Sequence, residues 1–274
     1  MDAAPGCEAV NPGARAVARR LAAAALALAL AAGLSGCSLL VREPRVPMEA
    51  LSLPRAADAR SPTLIVFMPG AQEVPQDIVR EGFVDQVRAR GIDADVVVAD
   101  AHLGYFYGGV FEQRLREDVI QPARAQGYRS VWLAGISLGG FGALRYARAH
   151  PDEVDGVIAL APYLAPRLDL QAVWQAGGLA SWRPERPPGP REHERALLLW
   201  LQGYGDPAQR RPPLFIGHGE DDRLKPFGPL MAGLLPPVHL LSAPGGHDWA
   251  PWKAMWADAL DRAPLPRASG AGLR

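Results

Sequence analysis

The stretch Arg129-Ser-Val-Trp-Leu-Ala-Gly-Ile-Ser-Leu-Gly-Gly-Phe-Gly-Ala-Leu-Arg145 decides the reading of this 274-residue chain. An apolar run through Ile136 has the makeup of a buried strand, and it leads straight into Gly135-Ile-Ser-Leu-Gly139 and then into a helix-forming segment. A serine on a sharp strand-to-helix turn has its hydroxyl presented at the end of a sheet. Because that hydroxyl is a poor nucleophile at its own pKa, such a turn is useful when a base reaches the serine and backbone N–H groups face the reacting atom. Gly135 and Gly139 remove the Cβ atoms that would collide with a strained serine between them. Ser137 is therefore the first candidate for chemistry.

Downstream, two further strand-and-loop units supply partners. Pro212-Pro-Leu-Phe-Ile-Gly-His-Gly-Glu-Asp-Asp-Arg-Leu-Lys-Pro226 is a short buried-type strand ending in a loop with the paired carboxylates Asp221 and Asp222. Pro237-Val-His-Leu-Leu-Ser-Ala-Pro-Gly-Gly-His-Asp-Trp249 is a second strand ending in a glycine turn that carries His247. The chain order is Ser, Asp, His, with each group just past the carboxyl end of a strand, where open α/β sheets collect their ligands.

Residues 62–263 resemble the α/β-hydrolase superfamily, and the Gly-Gly-His-Asp-Trp turn resembles its bacterial esterase-like members. That resemblance implies a mostly parallel sheet with helices on both faces. It makes Ser137 the nucleophile, His247 the general base and acid, and one of the 221–222 carboxylates the group that orients the imidazole. Asp222-Arg-Leu-Lys-Pro226 fits the family's acid loop, whereas Asp221 stands one place early. The implied oxyanion hole takes the backbone N–H of Leu138 and a second N–H from the loop after Thr63-Leu-Ile-Val-Phe-Met-Pro-Gly-Ala-Gln72. This loop has Pro69 where the family's turn has histidine, and Ala71 is the assigned donor with Gln72 as the alternative.

The strands are expected near 63–68, 95–99, 130–135, 155–161, 213–217 and 238–242. Helices are expected near 76–90, 111–125, 138–149, 227–235 and 249–262. About fifty residues, 163–211, interrupt this alternation where the family inserts lids, and we expect a small lid there. Trp174 and Trp182 are its candidates for touching an apolar acyl group. His102 and Tyr105, in the aromatic loop expected after the 95–99 strand, on the same edge as Ser137, are candidates for a pocket wall. The remaining histidines read as structural or solvated, His193 among them as part of a charged run.

The amino terminus carries a different message. Arg15, Arg19 and Arg20 precede an apolar stretch from Leu21 to Leu34 that ends in Leu34-Ser-Gly-Cys37. A charged region, a short apolar region and small exit residues describe a secretory signal peptide, and the apolar run is shorter than the ~20 residues a spanning helix needs. The last four residues resemble the bacterial lipobox, which implies that 1–36 are removed and that Cys37 is acylated and anchors the protein to a membrane. Ser38 after the cysteine favours the outer membrane of a double-membraned cell envelope. Residues 37–61 read as a tether with an edge strand near 48–53, and 264–274 as a disordered tail.

With 29 basic and 29 acidic residues the chain offers no electrostatic footprint for nucleic acid. Its two cysteines, Cys7 and Cys37, leave no disulfide in a processed chain. Metal-ligand spacing, a phosphate loop and a dinucleotide fingerprint are missing from the sequence, so no cofactor or metal is expected. The expected partner is a small acyl ester. On the same groups the resemblance also admits thioester cleavage and acyl transfer, and a fold that binds a ligand or envelope partner without catalysis is the reading of another class. Serine rather than a carboxylate at 137 removes a dehalogenase.

Overall fold

The structure, a computed structural model, describes residues 41–56, 60–224, 230–231 and 233–268. The chain divides into Met1–Glu43 and Pro44–Arg274, and every element below belongs to the second unit. Cys37, the signal peptide and residues 227–229 and 232 of the segment expected as a helix at 227–235 lie outside the described residues.

Seven strands form one sheet in the order β1-β3-β2-β4-β5-β6-β7. They are β1 (Ala50–Leu53), β2 (Thr63–Met68), β3 (Asp95–Ala99), β4 (Ser130–Ile136), β5 (Gly156–Leu160), β6 (Leu214–Gly219) and β7 (Leu240–Ala243). Only the edge strand β1 runs antiparallel, against β3, and the other neighbouring pairs are parallel. A parallel sheet is covered on both faces, and successive side chains of β4 feed two separate cores. Val131 and Leu133 join one, while Trp132, Ala134 and Ile136 join the other. The sheet is thus the mostly parallel, doubly covered one that the alternating sequence predicts.

The helices are α1 (Pro75–Arg80), α2 (Phe83–Ala89), α3 (Leu103–Tyr107), α4 (Phe111–Leu115), α5 (Gln121–Ala125), α6 (Leu138–Ala149), α7 (Arg167–Gln175), α8 (His193–Gln202) and α9 (Trp249–Arg262). The single helix expected over 76–90 is broken at Gly82, whose left-handed φ of 82° ends one helix and starts the next. The one expected over 111–125 keeps its span but carries a π-helical segment, Arg116–Ile120, between α4 and α5. Pro122, with no N–H for the usual ladder, follows directly. The segment expected as a lid, 163–211, contains α7, α8, a 3-10 turn at Gly203–Gly205 and otherwise irregular chain.

Both termini of the domain are more tightly built in than their composition suggests. Within the stretch read as a tether, Met48 is buried, its N–H donates to Asp118 at 2.7 Å, and β1 closes the sheet edge. The Pro-rich start of the expected tail packs too. Leu265 is buried in the second core, the Pro266 carbonyl accepts from the Asp93 N–H at 2.8 Å, and the Ala268 N–H donates to Gly91 O at 2.8 Å. A proline-rich segment looks like linker when its one apolar residue is not credited with a core position.

Candidate active site

Ser137 follows β4, the central strand of the sheet, and caps α6 with φ 52° and ψ −110°. For a non-glycine residue this is a strained backbone that persists only where its surroundings enforce it. The enforcement is visible. The Ser137 N–H donates to Leu160 O at 2.9 Å, and the Ser137 carbonyl accepts from Phe141 N at 3.0 Å and Tyr163 N at 3.1 Å. A Cβ at Gly139 would strike the Met68 carbonyl, and one at Gly135 would strike the Gly139 backbone. Helix α6 can start directly against the ends of β2 and β4 because those positions have no side chain.

The three separated groups meet. His247 Nε2 lies 3.0 Å from Ser137 Oγ, and His247 Nδ1 lies 2.8 Å from Asp222 Oδ2. The Asp222 side chain is fully buried, and its other oxygen accepts the Leu224 N–H at 2.7 Å. Burial opposes charge on Asp222. The hydrogen bonds from His247 and from the Leu224 N–H outweigh it, holding the carboxyl below its ordinary range. Asp221 instead is exposed, and its N–H donates to Gly245 O at 2.9 Å. Of the two carboxylates, only Asp222 touches the imidazole. On its other side the imidazole meets the buried Trp252 ring edge-to-face, with centroids 5.0 Å apart.

The hydroxyl faces a pocket of about 460 Å³. Ala71 and Leu138 both line it, each from a loop or helix start beside the serine. As the first residue of α6, Leu138 has an N–H that no carbonyl of its own helix can accept, and the helix dipole adds positive character there. The pocket wall is aromatic and aliphatic, with Leu103, Phe106 and Phe141 in it. Phe106 stacks on Phe111 with centroids 4.2 Å apart, and Phe141 packs edge-on against Tyr163.

The residues expected to form that wall do not. His102 is the N-cap of α3, buried, with Nδ1 accepting the Gly104 N–H at 3.2 Å. Tyr105 is buried in the core, where its hydroxyl accepts the Arg45 N–H at 3.1 Å and donates to Arg45 O at 2.9 Å. The segment is a helix rather than a loop, so Leu103, Phe106 and Tyr107 share the face toward Ser137 while Tyr105 turns inward. An i, i+3, i+4 reading of 103–107 was the signal for this.

The lid tryptophans are also elsewhere. Trp182 is buried in a core and lines a different hollow, with Asp169 and Arg186, and Trp174 is 46 % exposed on α7. What the segment 163–211 does bring to the pocket is Tyr163, with Arg191, His193 and Glu194 at and just before the start of α8. His193, read as structural or solvated within a charged run, is half-buried and lines the pocket. Burial, followed by the field of Arg145, pushes its pKa below the ordinary value. Among the described residues no group of three or more His, Cys, Asp or Glu side chains is arranged to hold a metal ion.

Comparison with known proteins places these features in context. Residues 111–202 match the family described as putative esterase. This segment spans the elbow and the lid helices but stops before Asp222 and His247. No curated protein matches. Among solved structures, S-formylglutathione hydrolase FrmB from Staphylococcus aureus, an apoenzyme, aligns with a TM-score of 0.55 at 16 % identity, covering 80 % of this chain and 97 % of that one. Est1E from Butyrivibrio proteoclasticus aligns at 0.53 and 16 % identity, over 78 % and 92 % of the two chains. The fluorophosphonate-binding serine hydrolase F of Staphylococcus aureus, with substrate bound, gives 0.50 and 15 % identity, over 78 % and 98 %. These alignments show that this chain has the α/β-hydrolase fold.

Proposed function

We propose that the protein is a serine hydrolase of the carboxylesterase type, cleaving esters, thioesters included, through an acyl-enzyme. The observation that carries this reading is the unbroken series Ser137 Oγ, His247 Nε2, His247 Nδ1, Asp222 Oδ2, with contacts of 3.0 and 2.8 Å. Both lie within hydrogen-bond reach, as proton transfer requires. The match of residues 111–202 to putative esterases supports the same chemistry.

In this mechanism His247 Nε2 takes the Ser137 proton as Oγ attacks the ester carbonyl. Asp222, charged and acceptor-only, holds Nδ1 as the protonated nitrogen and stabilises the imidazolium that forms. Negative charge grows on the carbonyl oxygen, and the N–H groups of Leu138 and Ala71 are assigned to receive it. Removing one such donor typically costs ~2.7–4 kcal/mol of transition-state stabilisation. His247 then gives its proton to the leaving alcohol. A water, deprotonated by the same imidazole, attacks the acyl carbon and returns the serine. Esters of graded acyl length should be hydrolysed with a burst of alcohol equal to the enzyme, and Ser137→Ala should abolish burst and turnover. Hydrolysis undiminished in Ser137→Ala contradicts the proposal.

We also propose that Cys37 is lipidated and holds the protein at a bacterial cell envelope. The support is Leu34-Ser-Gly-Cys37 after its apolar run. Among the described residues no helix is long and apolar enough to cross a membrane. Expressed in a bacterium with a fatty-acid analogue, the protein should take up label and sediment with membranes. Cys37→Ser should do neither, and membrane association unchanged in that variant contradicts the anchor.

A further inference from the structure

The pocket in front of Ser137 is not simply apolar. Three arginines line it, and they differ in what they are free to do. Arg145 is buried and committed. Its Nε donates to Glu112 at 2.8 Å, and its guanidinium lies over the Phe106, Phe111 and Phe141 rings at 5.4–6.0 Å. Arg191 and Arg223 are exposed, come from two different segments, and make no hydrogen bond or ion pair among the described residues. One stands just before lid helix α8, the other directly after Asp222. His193 and Glu194, an acid with no ion pair among the described residues, also line it. Among the described residues, the uncommitted charge of the pocket is therefore two guanidiniums against one carboxylate, beside an aromatic wall.

We propose that Arg191 and Arg223 select esters that carry a second, anionic group, a carboxylate or phosphate remote from the scissile carbonyl. The inference rests on Ser137 being the nucleophile. A guanidinium presents planar, paired donors matched to the oxygens of such groups, and its charge does not vary with pH in the working range. Two of them on the wall of one pocket attract an anion before contact and hold it after. The aromatic wall then accommodates the apolar part of the same substrate. Glu194 lowers the preference and keeps the pocket from retaining anions indiscriminately.

The test compares kcat/KM for two matched pairs. The acyl-side pair is the glutarate monoester of a neutral alcohol and the corresponding pentanoate. The alcohol-side pair is an acetate ester of glycerol phosphate and the acetate ester of glycerol. In the wild type the anionic member of one pair should be preferred, and which pair shows it tells on which side of the carbonyl the arginines act. In Arg191→Gln/Arg223→Gln the anionic-to-neutral ratio should fall about tenfold, and in Glu194→Gln it should rise. The wild-type preference should weaken as salt increases. Fluorophosphonate labelling of Ser137, with a neutral probe, reports the nucleophile separately. Normal labelling and turnover with a ratio that changes less than twofold in the double variant overturns this inference alone. Absence of both labelling and turnover in folded wild-type protein overturns the nucleophile reading and this inference with it.

Discussion

At the scale of single residues, the two adjacent aspartates make the sharpest contrast. Asp222 is buried against His247 and Asp221 is exposed beside it. Asp222→Asn leaves the shape but presents the wrong tautomer to Ser137, and by analogy with the serine-protease case kcat should fall about 10⁴-fold. Asp221→Asn should stay within a few-fold, as steady-state kinetics on one ester will show, and equal losses contradict the assignment. The same carboxylate has a pH signature. Its pKa in the folded protein lies below the ordinary value of 3.8, so the folded state holds its charge where the unfolded chain takes up a proton. That stability is complete above about pH 4 and is lost as pH falls through the folded value. Thermal unfolding followed from pH 6 to pH 3 should therefore fall more steeply for the wild type than for Asp222→Asn. The convergence of Ser137, His247 and Asp222 was legible in the sequence because each lies within a few residues of a strand's carboxyl end and in a short motif. Arg191 and Arg223 were not, since an arginine in a polar run looks alike whether it faces solvent or a pocket.

At the scale of elements, the join between β4 and α6 is the least tolerant part of the fold. Gly139→Ala forces a methyl into the Met68 carbonyl. The cost should reach or exceed the ~1–3 kcal/mol of an overpacked core, read as a lowered midpoint in denaturant unfolding, with activity lost alongside. A variant with wild-type stability contradicts the packing argument. Helix α3 offers a paired test. Tyr105→Phe removes the two hydrogen bonds to Arg45, for about 0.5–1.5 kcal/mol each, and should change stability without changing acyl-length preference. Phe106→Ala opens the pocket wall and should shift that preference toward longer or bulkier acyl groups. Strand positions were readable to within a residue or two because buried parallel strands are nearly continuous apolar runs, as in 63–68 and 95–99. Helix α3 was missed because five residues with two glycines just beyond them carry too little periodicity, and the residues that 163–211 brings to the pocket were missed because its tryptophans advertise burial without saying against what.

At the scale of the whole molecule, the sheet acts as the frame that brings distant chain segments to one edge. Ser137 and His247 are 110 residues apart in sequence, yet parallel strands β4, β6 and β7 all end on the same side. That convergence follows from the parallel arrangement, which delivers each strand's carboxyl end to one rim. Consequently the alternation of apolar runs in the sequence foretold both the layers and the edge where chemistry would gather. The pocket in front of Ser137, by contrast, is lined in part by residues of irregular segments, such as Arg191 and Arg223, whose positions the apolar pattern does not fix. The most direct test of the central claim is mass spectrometry of the folded protein after reaction with a fluorophosphonate. One adduct should appear, on the peptide containing Ser137, absent in Ser137→Ala and formed at least about 10³-fold more slowly in His247→Ala. A folded wild-type protein that stays unmodified, or is modified equally fast without His247, contradicts the account.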